Sequence, residues 1–156
     1  MDRNAFTLVE LTVVIIIIGI LASMVALRGN DFSEEAEAMG AIQQLQIVEQ
    51  AALLYHAVHG VYPADRNPGI APAELKSELK SVDFSKPVLG GKLDWNGPGT
   101  SVPFLGVSIL YSSTNVPTAQ LRKIDAMLDD DDLSSGYVRV IALGGNRFFQ
   151  LCLQPN

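Results

Sequence analysis

Residues 6–27 read FTLVELTVVIIIIGILASMVAL, an apolar stretch with one acidic residue, Glu10. As an α-helix this stretch would be about 33 Å long, enough to cross the hydrocarbon core of a bilayer. A carboxylate at the middle of a bilayer costs about 2.5–3.5 kcal/mol, and the cost falls near either face. Because acidic residues inside such a segment usually have a function, the sequence predicts a transmembrane helix and marks Glu10 as a candidate functional residue.

Ala5 precedes the sequence FTLVE at residues 6–10, and together with the apolar helix this resembles the N-terminal signal of type IV pilins and type II secretion pseudopilins. In that family a prepilin peptidase cleaves before the Phe and methylates the new amino group. The Glu of the motif meets the N-terminal amine of a neighbouring subunit during assembly. The resemblance therefore implies cleavage between Ala5 and Phe6, N-methylation of Phe6 and an assembly role for Glu10.

Two positions depart from the family's usual pattern. Ala5 stands where the residue before the cleavage site is usually Gly. Leu27 stands where many relatives have a Pro near the end of the apolar run, so no proline kink is expected there.

A secretory signal peptide and a plain membrane anchor are the alternatives for this stretch. A signal peptide has a basic start, a short apolar core and a small-x-small cleavage site. Here residues 1–5 contain one Asp and one Arg, so the start is not basic. Cleavage after Ala26 would place Met24 at the first position of the small-x-small site, where a small residue is expected. A plain anchor explains the length of the stretch but not Glu10 or the FTLVE sequence, so the pilin-like interpretation is favoured.

The net charge of −6 argues against general nucleic-acid binding, because phosphate contacts need clustered Lys and Arg. Asp2 and Arg3 cancel, so removal of residues 1–5 would leave the charge unchanged. Cys152 is the only cysteine, which excludes an intrachain disulfide. We expect Cys152 to be a buried, unreactive thiol in a strand.

Residues 28–59 are predicted to form an amphipathic helix that continues the first one and ends at Gly60. Gly29, Asn30 and Asp31 are a predicted weak point. The helix carries one apolar stripe, expected to pack on a sheet: Ala38, Ile42, Leu45, Val48, Ala52 and Tyr55. His56 and His59 could share a metal by their spacing, but no third ligand lies nearby, so a surface pair is favoured.

Residues 60–156 are predicted to form a small α+β head with antiparallel strands. A short helix is expected over residues 72–80, with Leu75 and Leu79 facing inward, and a second over residues 118–128, capped by Thr118. The expected strands are a short one with Leu93 and Trp95, then residues 104–112, 137–143 and 147–153, the last two joined by a turn at residues 144–146.

An acidic run, Asp129, Asp130, Asp131 and Asp132, is the other feature with the chemistry of a site. Ca²⁺ takes several oxygen ligands from a short loop, so these residues are calcium candidates. Adjacent carboxylates at a helix C-terminus also repel one another and the helix dipole, a strain that water alone could relieve. The spacing of an EF-hand loop is absent, and no cofactor is predicted.

No catalytic motif stands out, so the sequence predicts a structural protein and not an enzyme. The predicted organisation is a leader (1–5), a transmembrane and assembly helix (6–27), an amphipathic helix (28–59) and the head (60–156). The resemblance implies a pilus or pseudopilus subunit in the bacterial inner membrane, with its head outside the cytoplasm, that later enters a periplasmic or surface filament. The implied partners are like subunits, the prepilin peptidase and an inner-membrane assembly platform. The alternative function is a monomeric, membrane-anchored periplasmic binding domain.

Overall fold

The structure, a computed structural model, describes residues 7–112 and 117–155, without the side chains of residues 25–32 and 154–155. Contacts divide the chain into two compact units, one that ends at Ala36 and one that begins at Glu37. The first helix, α1 (Leu8–His59), contributes to both units. Residues 29–31 are helical, and the weakness predicted there for an assembled filament stays a prediction.

The C-terminal end of α1 lies where the sequence predicts it. Gly60 has a φ of +74°, and its N–H donates to the carbonyl oxygen of His56 at 2.8 Å. A residue in this left-handed conformation commonly terminates a helix, and glycine adopts it without a Cβ penalty.

The head contains five antiparallel strands and a second helix. The strands are β1 (Pro87–Val88), β2 (Gly91–Asn96), β3 (Phe104–Tyr111), β4 (Val138–Leu143) and β5 (Asn146–Pro155), and α2 (Thr118–Leu128) lies between β3 and β4 in the chain. Their order across the sheet is β1-β2-β3-β5-β4. The predicted α+β fold, a long N-terminal helix with a small antiparallel head, is therefore confirmed.

The core forms where the stripe of α1 and the inner face of α2 pack with one face of the sheet. All the predicted stripe residues of α1 belong to this cluster, Tyr55 as a half-buried member. Leu121 and Ile124 of α2 are fully buried, as are Leu93 and Trp95 of β2. The Trp95 indole N–H donates to the carbonyl of Pro63 at 3.1 Å, which fixes the chain just after α1 against the sheet.

The helix predicted over residues 72–80 is wrong in extent. Only Ala73–Leu75 form a short 3₁₀ turn, and further turns follow it. Nine residues are too few for a stable helix without strong packing. Leu75 and Leu79 are nevertheless buried as predicted, because turns bring both side chains to the core.

The cap predicted at Thr118 is also wrong. Pro117 occupies the cap position, and its carbonyl accepts the N–H of Leu121 at 3.0 Å. Thr118 is therefore the first residue of α2 and does not take the cap position. The hairpin between β4 and β5 follows the prediction, with Gly144 and Gly145 at φ of +57° and +83°, as a two-residue turn between twisted strands requires.

Candidate functional site

The N-terminal end of α1 carries a capping box formed by Thr7 and Glu10. The backbone N–H and the hydroxyl of Thr7 both donate to Oε2 of Glu10 at 2.9 Å. The backbone N–H of Glu10 lies 3.2 Å from the Thr7 hydroxyl oxygen, which accepts it. This reciprocal pairing satisfies donors that a helix N-terminus otherwise leaves unpaired. The sequence analysis marked Glu10 but missed Thr7, although the T-x-x-E spacing is the usual signature of such a box.

The first turns of α1 expose apolar side chains around the helix, beginning at Leu8. The large apolar residues that are described between residues 8 and 24 are almost all exposed, among them Leu8 (79%), Ile16 (60%) and Met24 (57%). A helix that is apolar on all sides requires an apolar environment, either lipid or other protein. Among the described residues, no helix is both long enough and apolar enough to cross a membrane.

The predicted cleavage site lies outside the described residues, since Ala5 and Phe6 precede Thr7. The structure therefore places Glu10 but neither residue of the cleavage site. Their roles stay predictions from the resemblance.

A second candidate site lies at the end of α2, where Asp125 joins part of the acidic run. Asp125, Asp129 and Asp130 each offer one carboxylate oxygen, and these three oxygens lie within 4.8 Å of one another. We call these three residues the acidic cluster. Asp131 and Asp132 do not belong to it. The sequence analysis missed Asp125, although its spacing of four residues from Asp129 places both on one side of a helix.

Asp129 holds the loop that leads into β4. Its Oδ2 accepts the backbone N–H groups of Tyr137 and of Val138, the latter at 3.0 Å. Gly136 has a φ of +74°, and a Cβ there would lie 2.0 Å from the same oxygen, so this loop requires glycine. The Tyr137 hydroxyl donates to Glu49 of α1, which links the loop to the long helix within the head.

Asp125 is fully buried, whereas Asp129 and Asp130 are exposed. Burial, together with the neighbouring carboxylates of Asp130 and Asp129, raises the pKa of Asp125 to about 6. In contrast, hydrogen bonds from Ser134 and Ser135 lower the pKa of Asp132. The run of four aspartates therefore contains different environments, and Asp125 is the group that most needs a compensating charge or proton.

The histidine pair packs against aromatic rings. His56 stacks on Tyr62 and His59 on Tyr55, each with ring centroids 4.1 Å apart. Among the described residues, neither histidine belongs to a group suited to hold a metal. This geometry favours the surface pair over a shared metal.

Cys152 lies on β5 and is half-buried rather than fully buried. Burial raises the pKa of its thiol to about 11. The thiol therefore stays protonated and weakly nucleophilic at neutral pH, which agrees with the unreactive role expected for it.

The face of the sheet opposite the main core carries a row of buried polar side chains across three neighbouring strands. Its members are Asp94, Asn96, Ser108 and Gln150. Asn96 donates to the Ser108 hydroxyl at 2.9 Å, and Gln150 donates to the carbonyl of Phe104 at 2.6 Å. Among the described residues, Oδ1 of Asp94 and Oε1 of Gln150 accept no hydrogen bond. Burial, and then the nearby charge of Asp65, raises the pKa of Asp94 to about 7.

The raised pKa of Asp94 predicts a pH-dependent stability of the head. The ordinary pKa of Asp94 is 3.8, and its pKa in the folded head is about 7. At a pH between these two values, the folded state keeps a proton that the unfolded state has lost. The free energy of unfolding therefore falls as the pH rises through this range. We expect Asp94→Asn to remove this pH dependence, because asparagine carries no charge at any of these pH values. At pH 8 the variant should be more stable than the wild type by about 2–4 kcal/mol, since one pKa unit equals about 1.4 kcal/mol.

Denaturation of the wild type and of Asp94→Asn at pH 4, 6 and 8, followed by Trp95 fluorescence, measures this difference. Asp83→Asn is a matched control, because Asp83 is exposed and hydrogen bonds from Ser85 lower its pKa. A stability gap between the wild type and Asp94→Asn that stays constant with pH would contradict the prediction.

Comparisons with known proteins agree with the N-terminal motif. Residues 1–26 match the family described as "Prokaryotic N-terminal methylation motif". The chain is 34% identical over 108 residues to a type IV major pilin protein PilE of Neisseria gonorrhoeae, a match that covers 58% of this chain and 65% of that protein. It is 31% identical over 98 residues to a PilE1 protein of the same organism, covering 61% of this chain and 46% of that one. It is 31% identical over 94 residues to a fimbrial protein of Neisseria meningitidis serogroup B, covering 58% and 55%.

No solved structure gives a significant match. The chain spans about half to two thirds of the length of these curated relatives. The relatives are pilins and a fimbrial protein, which agrees with the prediction of a structural protein and not an enzyme. By its N-terminal motif and these relatives, the chain is similar to type IV pilins.

Proposed function

We propose that this chain is a structural subunit of a type IV pilus or of a type II secretion pseudopilus. In this proposal a prepilin peptidase cleaves between Ala5 and Phe6 and methylates Phe6, and the subunit then assembles through its N-terminal helix. The observation that carries the proposal is the exposed apolar surface of residues 8–24, which begins within the capping box of Thr7 and Glu10. A structural subunit needs such a surface, because it must exchange one apolar environment for another.

The energetics of assembly follow from that surface. Before assembly, the apolar helix lies in the inner membrane with the head outside the cytoplasm. In the filament the same side chains contact like helices, so apolar burial changes little. Packing, polar contacts and the work of an assembly platform then decide the balance. The peptidase, the platform and the neighbouring subunits are therefore the proposed partners.

Glu10 has the geometry for a second contact during assembly. Both Thr7 donors use Oε2 of Glu10, and no described residue donates to Oε1. A carboxylate offers about four acceptor positions. Glu10 can therefore keep its capping box and still accept the N-terminal amine of a neighbouring subunit.

The mass and the first residue of the protein isolated from its native membrane test the proposed processing. A chain that begins at Phe6 with one additional methyl group would support it. A chain that still begins at Met1 would favour the membrane-anchored binding domain. A chain cut after Ala26 would overturn both and leave a secreted head.

Thr7→Val is expected to reduce incorporation into filaments about fivefold, because it removes the hydroxyl that both donates to and accepts from Glu10. Loss of a helix cap costs about 1 kcal/mol, and Glu10 is then less well oriented. Thr7→Ser, which retains both hydrogen bonds, is the matched control. The amount of subunit in sheared filaments, relative to the amount in the membrane, measures the effect once the N-terminus has been confirmed. Equal incorporation of the Val and Ser variants would show that the capping box has no part in assembly.

A further inference from the structure

The sequence contains a single Asn-Gly pair, Asn96–Gly97, at the end of β2. In such a pair the backbone nitrogen of the glycine can lose its proton and attack Cγ of the asparagine side chain. A C–N bond then forms, ammonia leaves, and water opens the resulting succinimide to aspartate or isoaspartate. Glycine favours this reaction in a flexible chain, because it has no Cβ to hinder the attack and adopts many backbone conformations. By sequence alone, Asn96 is therefore prone to spontaneous deamidation.

The packing of the head does not permit another residue at position 97. A Cβ on Gly97 would lie 2.4 Å from the backbone nitrogen of Asp65 and 2.8 Å from the carbonyl oxygen of Pro63. Such contacts cannot be accommodated unless the backbone shifts. The Trp95 indole N–H donates to the same Pro63 carbonyl, so the chain after α1 is held against β2. The fold thus requires glycine at the position where glycine makes Asn96 labile.

Two hydrogen bonds hold the reacting atoms in positions that oppose the attack. The N–H of Gly97 donates to Oδ1 of Asp65 at 3.1 Å. The negative charge of this carboxylate disfavours the loss of a proton from the Gly97 nitrogen. The side-chain amide of Asn96 donates to the Ser108 hydroxyl at 2.9 Å, which draws Cγ toward the neighbouring strand β3 and away from the Gly97 nitrogen.

The head would tolerate the products of deamidation poorly. Asn96 is 2% exposed and lies on the same face of the sheet as Asp94. Oδ1 of Asp94 already accepts no hydrogen bond from a described residue, and a second buried carboxylate beside it would be costly. Isoaspartate would also insert an extra carbon into the backbone of β2 and disturb its register with β3. Suppression of the reaction therefore preserves the sheet.

We propose that Asn96–Gly97 is a latent deamidation site, which Asp65 and Ser108 suppress by holding the Gly97 nitrogen and the Asn96 amide apart. The rate of the reaction then reports how often Pro63 and Asp65 leave β2. This inference rests on these contacts alone and is independent of the proposed function.

The test uses the full chain in detergent, incubated at mildly alkaline pH. Peptide mass spectrometry measures the conversion of amide to acid at Asn96 and separates the aspartate and isoaspartate products. The same chain in guanidinium chloride gives the unprotected rate. We expect the folded chain to react at least about a hundredfold more slowly, because each of the two hydrogen bonds contributes about tenfold. Equal rates in the folded and the unfolded chain would overturn the proposal.

Asp65→Ala is expected to accelerate deamidation of the folded chain about tenfold, because it removes a charged acceptor from the Gly97 N–H. Asp65→Asn is the matched variant. Its amide oxygen can still accept this N–H, so its rate should stay within about threefold of the wild type. A slower reaction in Asp65→Ala would mean that the carboxylate promotes the attack as a base, and an unchanged rate would mean that it has no effect. Either result would overturn the proposal.

Two further variants separate local protection from the stability of the whole head. Ser108→Ala removes the acceptor of the Asn96 amide and should accelerate the reaction about fivefold. Ile124→Val changes a fully buried side chain of α2, outside this set of contacts, and costs about as much stability as one hydrogen bond. It should react at the wild-type rate while Trp95 fluorescence shows a folded head. If Ile124→Val accelerates deamidation as much as Asp65→Ala does, the protection belongs to the folded state in general and the proposal is wrong.

Discussion

Replacing Glu10 with alanine is expected to abolish incorporation of the subunit into filaments while the protein remains in the membrane. The substitution removes the carboxylate that the proposed function pairs with the amine of a neighbouring subunit. It also removes the acceptor for both Thr7 donors. Because apolar burial changes little between lipid and filament, the loss of a charge-assisted contact is not offset elsewhere. We expect at least a tenfold decrease of subunit in sheared filaments, which corresponds to about 1.4 kcal/mol.

Two further variants identify the cause of the decrease. Glu10→Gln keeps an oxygen that can accept from Thr7 but carries no charge, so it isolates the charge from the cap. Glu35→Ala removes a charge from an exposed position farther along α1 and should assemble as the wild type does. If Glu10→Gln also assembles at wild-type levels, Glu10 acts through the capping box and the proposed charge pair is wrong.

The features of the fold that depend on strong local patterns could be predicted from the sequence. The apolar stripe from Ala38 to Ala52 predicts which face of α1 is buried. The strand-forming residues on both sides of the glycine turn predict β4 and β5. The N-terminal motif was the strongest signal, and residues 1–26 match the family described by that motif. In each case the pattern extends over many residues, so competing effects at single positions did not change the outcome.

The features that failed depend on contacts between distant residues. The residues after Pro72 have the composition of a helix, yet turns alone place the side chains of Leu75 and Leu79 in the core. Likewise Asp125 looks like an ordinary polar residue of α2, and only the packed structure shows it buried beside the exposed carboxylates of Asp129 and Asp130. The sequence pointed to the exposed acids of that site and missed the buried one.

A single methyl group at Gly106 is expected to destabilise the head severely. Gly106 lies in β3 beside an irregularity in its pairing with β5. A Cβ at this position would lie 1.9 Å from the carbonyl oxygen of Leu151, a distance at which one of the two strands must move. Both neighbours of Gly106, Leu105 and Val107, are buried, and β3 has paired strands on both sides. The clash therefore cannot be relieved without opening the core.

We expect Gly106→Ala to lower the free energy of unfolding by about 3 kcal/mol or more, as an overpacked core position does. The corresponding fall in Tm is about 10 °C or more, measured on the full chain through Trp95 fluorescence. Gly40→Ala is the matched control, because Gly40 lies in α1 and a Cβ there meets no atom within 4 Å. Alanine should stabilise that position by about 0.5–1 kcal/mol, since glycine is unfavourable inside a helix. The same substitution should thus lower the free energy of unfolding at Gly106 and raise it at Gly40. Equal stability of both variants would show that the pairing of β3 with β5 at Gly106 is wrong.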